Sequence, residues 1–484
     1  MPWMDVMADM ALAPWLVILP LAGALLAGLW PAAARWWGLL TGLLTLPMAL
    51  LLALQVHAHG PMVLYLGGWV PPLGIALVAD GLASLMLLMT AGVGLAISLY
   101  ALGYLAGETG GRWFWILWLW LWAAMNALYL SGDVFNLYVT LELVVLASVA
   151  LVALAGGAAP LVAAMRYLLV SLLGSMAYLM GVALLYGSYG VLDLQGLGAQ
   201  VALSAAPMLA AALMTVGLMA KSALFPLHVW LPPAHGSAPA PVSAALSALV
   251  VKVSFYLMLR LWLTVFPALP LPGLDMLMGA LAMGAVLWGG LMALRASRLK
   301  QVVAYSTVAQ VGYLFLLFPF LRAFPDGWKA VVFFAVAHGV AKAAVFLAAG
   351  TLQRAAGHDR LADLGAVMRG RLKTSFALGI AGASLVGLPF TGGFIAKWLL
   401  VQTALEAGLW IWVLMVLGGG LLAGAYVFRL LGPAFQPGPA DPGQPLPAVM
   451  EWVPLALALL TIGLGFAGTP ALSLLARTLT GGGG

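Results

Sequence analysis

Cysteine is absent from the 484 residues, and only 7% of them are charged. A soluble domain carries roughly 25% charged residues. The missing thiols exclude disulfides, thiolate nucleophiles, iron–sulfur clusters and thiolate zinc sites. The shortage of charge, beside a 64% hydrophobic share, excludes a soluble globular enzyme, a disordered chain and a nucleic-acid binder. The six histidines are His57, His59, His228, His235, His338 and His358. None of them forms a tight metal signature with carboxylates, and His57 and His59 read as a loop pair. No Walker motif occurs, and no glycine-rich fingerprint follows a strand. The N-terminus carries Asp5 and Asp9 and no basic n-region, so the first apolar helix is expected in the mature protein. No cofactor and no metal are expected.

What fills the sequence instead is apolar runs. Fourteen segments are long and hydrophobic enough to read as membrane helices: 12–30, 36–54, 80–104, 113–130, 133–155, 161–187, 205–226, 240–266, 274–294, 302–320, 328–349, 374–400, 408–431 and 450–475. The expected fold is an all-α polytopic membrane protein. The tryptophan run Trp113–Trp122 reads as an interfacial belt merged into a helix. With the N-terminus outside, inside loops and flanks hold twelve basic residues: Arg35, Arg112, Arg166, Arg295, Arg298, Lys300, Arg354, Arg360, Arg369, Arg371, Lys373 and Arg429. The outside ones hold four: Arg260, Arg322, Lys329 and Arg477. Cytoplasmic loops collect Lys and Arg, so both termini are expected on the outer side of the cell membrane.

Ionisable residues inside a bilayer cost at least about 2.5–3.5 kcal/mol each on insertion scales. A chain this poor in charge nevertheless places Glu142, Lys221, Lys252, His338, Lys342 and Lys397 within predicted helices. His338 and Lys342 are four apart and share a helix face. Such groups either pair to hold helices together or form a proton relay, and a series spread over separate helices favours the relay. A Glu142–Lys221 pair would act as a switch, because a carboxylate favours the charged lysine and burial disfavours it.

Two helices read as broken. Lys221 is followed by Pro226 and Pro232-Pro233. Lys397 is preceded by Gly387-Leu388-Pro389 and Gly392-Gly393, about 176 residues further on. Interrupted helices at matching places in two halves point to a transport site built from an inverted repeat.

At these residues the chain resembles the antiporter-like proton-channel subunits shared by respiratory complex I, Mrp-type sodium/proton antiporters and energy-converting hydrogenases. The matching segments are SGDVFNLYVTLELVVLAS, AKSALFPLHVWLPPAHGSAPAPVSAALSALVVK, LKQVVAYSTVAQVGY, AHGVAKAAVFLAAG and GLPFTGGFIAKW, spread over roughly residues 75 to 430. The resemblance implies two inverted five-helix repeats, helices 4–8 and 9–13, with helices 7 and 12 broken. The implied division is 1–110 for helices 1–3, 111–266 and 267–431 for the repeats, and 432–484 for helix 14 and the tail. It also implies roles by position. Glu142 resembles the acid of the fifth helix and Lys221 the lysine of the broken seventh, together a half-channel switch. Lys252 resembles the lysine that passes protons to the centre, and His338 the histidine of the eleventh helix. Lys397 resembles the terminal group of the broken twelfth. Lysine there makes the chain look more like the D-type member of the Mrp antiporters, and like some complex I and hydrogenase subunits. His228 resembles a histidine near the inner opening, and Asp80 matches a recurring acidic position. Two departures stand out. Where the family commonly reads Leu-Pro-Asp-Ala-His, this chain has Leu231-Pro232-Pro233-Ala234-His235, so proton uptake at that mouth would need His228 and His235 instead. The chain also ends in Gly481–Gly484, where the largest members add a lateral helix.

The expectation is therefore a proton-translocating subunit with no catalytic centre of its own, working with other membrane subunits. The cargo is protons, with sodium ions as a second candidate. The main reading is the D-type member of an Mrp-type cation/proton antiporter. The alternatives are a proton-pumping subunit of a redox-driven complex, or a subunit lending proton flux to a non-redox partner.

Overall fold

The computed structural model describes residues 12–107, 111–269, 273–324 and 326–481. Twelve helices are long and apolar enough to cross a membrane among these residues. They are α1 (Leu12–Leu29), α2 (Ala34–His59), α3 (Gly81–Tyr104), α4 (Gly111–Leu130), α5 (Val134–Ala153) and α6 (Ala158–Tyr189). After α7 come α8 (Ala240–Thr264), α9 (Leu274–Arg295), α10 (Leu299–Ala323) and α11 (Trp328–Ala356). After α12 come α13 (Trp410–Phe435) and α14 (Val449–Phe466). The remaining two spans are the broken ones. α7 comprises Ala205–Lys221 and Leu231–Ser237, and α12 comprises Leu372–Val386 and Gly392–Glu406. First halves of 17 and 15 residues reach only about 22–26 Å at 1.5 Å per residue, short of a hydrocarbon core about 30 Å thick. Each therefore needs its second half to complete a crossing, and the total is fourteen.

The spans differ in burial. The most apolar windows of α8 and α11 are 100% buried, against 33% for α1 and α14. The centre of the bundle is thus α8, α10 and α11, and its rim is α1, α2, α6, α9, α13 and α14. An even number of crossings puts α1's start and the chain's last described residues on one face, the terminal face. The basic stretch Arg354–Lys373 lies on the other, the basic face. A short hairpin, β1 (Met62–Tyr65) paired antiparallel with β2 (Ala76–Ala79) and Met62 opposite Ala79, sits on the terminal face. The alternation of its side chains is too brief to stand out among long apolar runs.

The two inverted halves carry the same small device on opposite faces. Before α5, Gly132–Val134 pairs with Leu192–Leu194 through Val134 N–H to Leu192 O (2.8 Å) and Leu194 N–H to Gly132 O (2.9 Å). Before α10, Ser297–Leu299 pairs with Asp359–Leu361 through Leu299 N–H to Asp359 O (2.8 Å) and Leu361 N–H to Ser297 O (3.0 Å). The residues at the two bridge centres are Asp133 and Asp193 in the first half, Arg298 and Arg360 in the second. The charge at equivalent places inverts with the face.

Three local expectations need correction. His57 and His59 occupy the last turn of α2, not a loop, because no glycine or proline lies between Pro47 and Gly60 to end the helix sooner. The tryptophan run is not mainly an interfacial belt: Trp115, Trp118 and Trp122 are buried, and Trp113 and Trp120 are exposed. Glycines make room for them. A Cβ on Gly38 would lie 2.2 Å from Trp115, and one on Gly94 2.7 Å from Trp122. Trp118 spends its ring N–H on Ser98 Oγ at 3.0 Å. Finally, the last apolar segment stops at Phe466, and Gly468–Leu475 forms a separate short helix.

Candidate functional site: a buried lysine series

α7 stops at Lys221 because the next residues cannot continue it. Pro226 has no N–H to donate, and Ala223 adopts a positive φ of 56°. The break leaves carbonyls without helical partners. Trp230 satisfies one of them, donating its ring N–H to Ala220 O at 3.0 Å, and its ring stacks on Tyr167 at 4.0 Å. Lys221 thus stands at the negative end of a helix dipole, where a cation is favoured. Its Nζ donates to Glu142 Oε1 of α5 at 3.0 Å. Ser175 of α6 donates to the same oxygen. A pair of glycines permits this approach. A Cβ on Gly217 would lie 2.3 Å from the Gly174 carbonyl oxygen, and one on Gly174 would lie 2.6 Å from that of Gly217. The backbones of α6 and α7 touch there, one turn from Lys221.

The central lysine sits beside a second irregularity. Leu246–Val250 of α8 forms a π-turn, a feature common at functional sites. Lys252 lies just past it, fully buried, and donates to Ser247 O. The Ser247 and Thr307 hydroxyls meet at 2.9 Å, joining α8 to α10. On α11, Lys342 donates to Val303 O at 2.9 Å and to the Ser306 hydroxyl. His338, one turn earlier, stacks on Phe334 at 5.8 Å, and neither of its ring nitrogens has a protein partner. It lies within electrostatic reach of Lys252, Lys342 and Lys397.

Lys397 occupies the second break. Its Nζ donates to Leu385 O at 3.0 Å and Val386 O at 2.9 Å, the last carbonyls of the first half of α12. Gly387, at φ +90°, ends that half. Gly393 lets the second half press against it, since a Cβ there would lie 1.8 Å from Ser384 O. Gln310 of α10 also reaches Leu385 O at 3.4 Å and the Tyr426 hydroxyl at 3.0 Å.

Lys221, Lys252, His338, Lys342 and Lys397 therefore all lie buried in the bundle, and Glu142, beside Lys221, is partly buried. His228 lies in the α7 break against Phe225 at 5.5 Å, and no lysine is among its electrostatic neighbours. His235 is the histidine that joins the series. It is fully buried, stacks on Phe346 at 4.7 Å, has no protein partner for either ring nitrogen, and feels Lys342, Lys300 and Lys252. Lys300, counted from the sequence as a flank residue, is only 2% exposed and donates to Ala238 O. It is the second residue of α10, two after Arg298, so along the chain it reads as one more loop cation. Beside it a cavity of about 630 Å³ opens on the basic face, lined by Arg166, Pro233, Ser237, Arg298, Gln301 and Tyr305. Pro233, in place of the usual acid, is in its wall. Among the described residues no three His, Asp or Glu side chains converge as metal ligands.

Comparison with known proteins gives the family and the fold. Residues 131–423 match the family model described as "NADH:quinone oxidoreductase/Mrp antiporter, TM", and residues 71–114 match "NADH-Ubiquinone oxidoreductase (complex I), chain 5 N-terminus". The chain is 37% identical over 385 residues to the N-type subunit of NADH-quinone oxidoreductase from Desulforudis audaxviator, covering 78% of this chain and 76% of the relative. It is 30% identical over 387 residues to the D-type subunit of the Na(+)/H(+) antiporter from Alkalihalophilus pseudofirmus, with coverage of 78% and 76%. One polypeptide in the structure of the Mrp complex from Dietzia sp. superposes with a TM-score of 0.88 at 25% identity, covering 97% of each chain.

Proposed function

The chain belongs to the membrane-subunit family shared by NADH:quinone oxidoreductases and Mrp antiporters, and from that premise we propose that it conducts protons within a multisubunit complex, as the D-type member of a cation/proton antiporter. The observation that carries this reading is the Lys221–Glu142 ion pair at 3.0 Å, set at a helix break and followed by lysines that hold only carbonyl and hydroxyl oxygens. A buried ammonium without a counter-charge repels its neighbours strongly at low dielectric. A proton arriving at one such lysine therefore pushes on the next. Closing the Glu142 pair holds a proton on Lys221, and opening it releases the proton toward the centre.

In this proposal the cavity on the basic face is the uptake mouth. Lys300 and His235 lead inward from it to Lys342 and Lys252, and His338 connects that centre to Lys397. Water fills the gaps. Residues 111–266 and 267–431 form the two inverted units, framed by 1–110 and 432–484, and the paired bridges before α5 and α10 support that division. The basic face is cytoplasmic under the positive-inside rule, which puts both termini outside the cell membrane. The energy for transport comes from partner subunits.

Lys221→Ala tests the reading. Proton-coupled activity of the assembled complex is expected to be lost, and normal activity with normal assembly would overturn the proposal. The 37% identity to a subunit of NADH-quinone oxidoreductase favours a redox-driven pump as the second reading. Mass spectrometry of what co-purifies with the chain in mild detergent separates the two. Small hydrophobic Mrp-like subunits mark the antiporter, and iron–sulfur or nickel-binding subunits mark the pump.

A further inference from the structure

Lys252, Tyr256, Arg260 and Thr264 recur every fourth residue on α8, so they line one face of that helix. All four are buried. The stripe runs from the central lysine to the terminal face. There it meets a second cavity of about 110 Å³, lined by Tyr256, Arg260, Thr264, Asp193, Gln195 and Leu479. A polar stripe between a proton-loaded lysine and an opening is a leak unless something closes it.

The polar side chains of the stripe hold their protons on fixed partners, and Thr264 donates its own to Arg260 O at 2.6 Å. Arg260 donates to Asp80 through both guanidinium nitrogens, at 2.6 and 2.8 Å, and a guanidinium does not give up its charge in a protein. Asp80 accepts four hydrogen bonds: two from Arg260, one from Ala83 N–H at 2.9 Å, and one from Leu479 N–H at 3.0 Å. A carboxylate has about four lone-pair sites, so those of Asp80 are all occupied. The Tyr256 hydroxyl accepts from Arg260 at 3.0 Å and donates to Tyr129 O at 2.6 Å. Its single proton is committed to a backbone carbonyl, which cannot carry it onward. The Tyr129 and Tyr256 rings meet edge to face at 4.9 Å and fill the space between. Lys252 itself donates to Ser247 O, on the preceding turn and away from Tyr256.

The C-terminal tail completes the closure. Gly81 N–H donates to Arg477 O at 3.1 Å, and Gly481 N–H to Leu263 O at 2.8 Å. Leu479 is thereby strapped across the start of α3 and the end of α8. Gly81 is required at this crossing, because a Cβ there would lie 1.9 Å from Leu474 O.

We infer that the Asp80–Arg260–Tyr256 node, held by the tail at Leu479, is a proton-tight plug that makes Lys252 accessible from the basic face alone. The inference rests on the relay reading above. It adds that the terminal-face end of α8 is a barrier, not an exit, so protons leave the central lysine only toward α11 and α12. A fixed arginine as an electrostatic barrier is a recognised way to keep protons out of a pore.

The test is passive proton leak of liposomes holding the purified complex, followed with an interior pH dye after an acid pulse. Arg260→His leaves a side chain that can carry a positive charge facing Asp80, but one that can also take up and release a proton. Leak is expected to rise about tenfold, equivalent to about 1.4 kcal/mol off the barrier. An assembled Arg260→His complex as tight as wild type would overturn the plug. Should that variant fail to assemble, Leu479→Pro removes the tail amide that donates to Asp80. It is expected to leak about twofold faster, or about 0.4 kcal/mol, and wild-type tightness there overturns the plug equally. Failure of the relay reading is distinguishable, because it would show as normal coupled proton transfer in assembled Lys221→Ala, a readout separate from passive leak.

Discussion

Five lysines are buried among the described helices, and only Lys221 meets a carboxylate there. Removing the charge of Glu142 leaves that buried ammonium without its partner; breaking a fully buried pair costs about 3–5 kcal/mol, and the partly exposed Glu142 sets this one below that range. Glu142→Gln keeps the shape and two hydrogen-bonding atoms. It is expected to assemble with a lower thermal midpoint and to cut proton-coupled turnover. Full turnover in the assembled variant would remove Glu142 from the switch. Gln310 touches the same carbonyl as Lys397, so Gln310→Leu removes a positioning contact without touching the lysine. Turnover should fall about two- to tenfold, the effect of one hydrogen bond worth about 0.5–1.5 kcal/mol, with assembly unchanged. The lysines in mid-helix were legible in the sequence because nothing in a bilayer excuses a charge. Lys300 was not, since three basic residues in Arg295–Lys300 look alike and only burial separates the last from the first two.

At the scale of the element, two broken helices and one π-turn place the lysines. The breaks were legible from Pro226 and from Gly387-Leu388-Pro389. The π-turn at Leu246–Val250 was not, because its residues are ordinary helix formers and the extra residue is imposed by packing against α10 and α11. The glycine contact between α6 and α7 gives a direct check. Gly217→Ala forces a methyl to within 2.3 Å of a backbone oxygen, which no rotamer can relieve, at a cost of about 1–3 kcal/mol. The expected result is a lower midpoint and a loss of coupled activity, as Lys221 moves off Glu142. Gly187→Ala, with nothing within 4 Å of its added carbon, is the control and should match wild type in both measurements.

For the whole molecule, the division into faces is the strongest constraint. Asp133 and Asp193 bridge on the terminal face, and Arg298 and Arg360 do so on the basic face. The absence of cysteine makes orientation testable by single introductions. Leu73→Cys lies at an 81% exposed position on the hairpin and is expected to react with a membrane-impermeant maleimide on intact cells. His358→Cys, in the basic stretch, is expected to react only after permeabilisation. The reverse pattern would invert the topology and with it the direction of proton uptake.

Read along the chain alone, the residues set the class, the fourteen crossings, the two breaks and the ionisable groups that lie in mid-helix. These follow from length, hydropathy and the cost of charge in a bilayer, all of which act locally along the chain. The tertiary structure alone decided which groups meet. It joined Glu142 to Lys221 across 79 residues and Asp80 to Arg260 across 180. It also brought Lys300 and His235 into the central cluster and turned most of the tryptophan run inward. Those outcomes depend on where glycines let backbones touch and on which carbonyls a helix break leaves free. Both are properties of packed neighbours, and no window along the chain contains them.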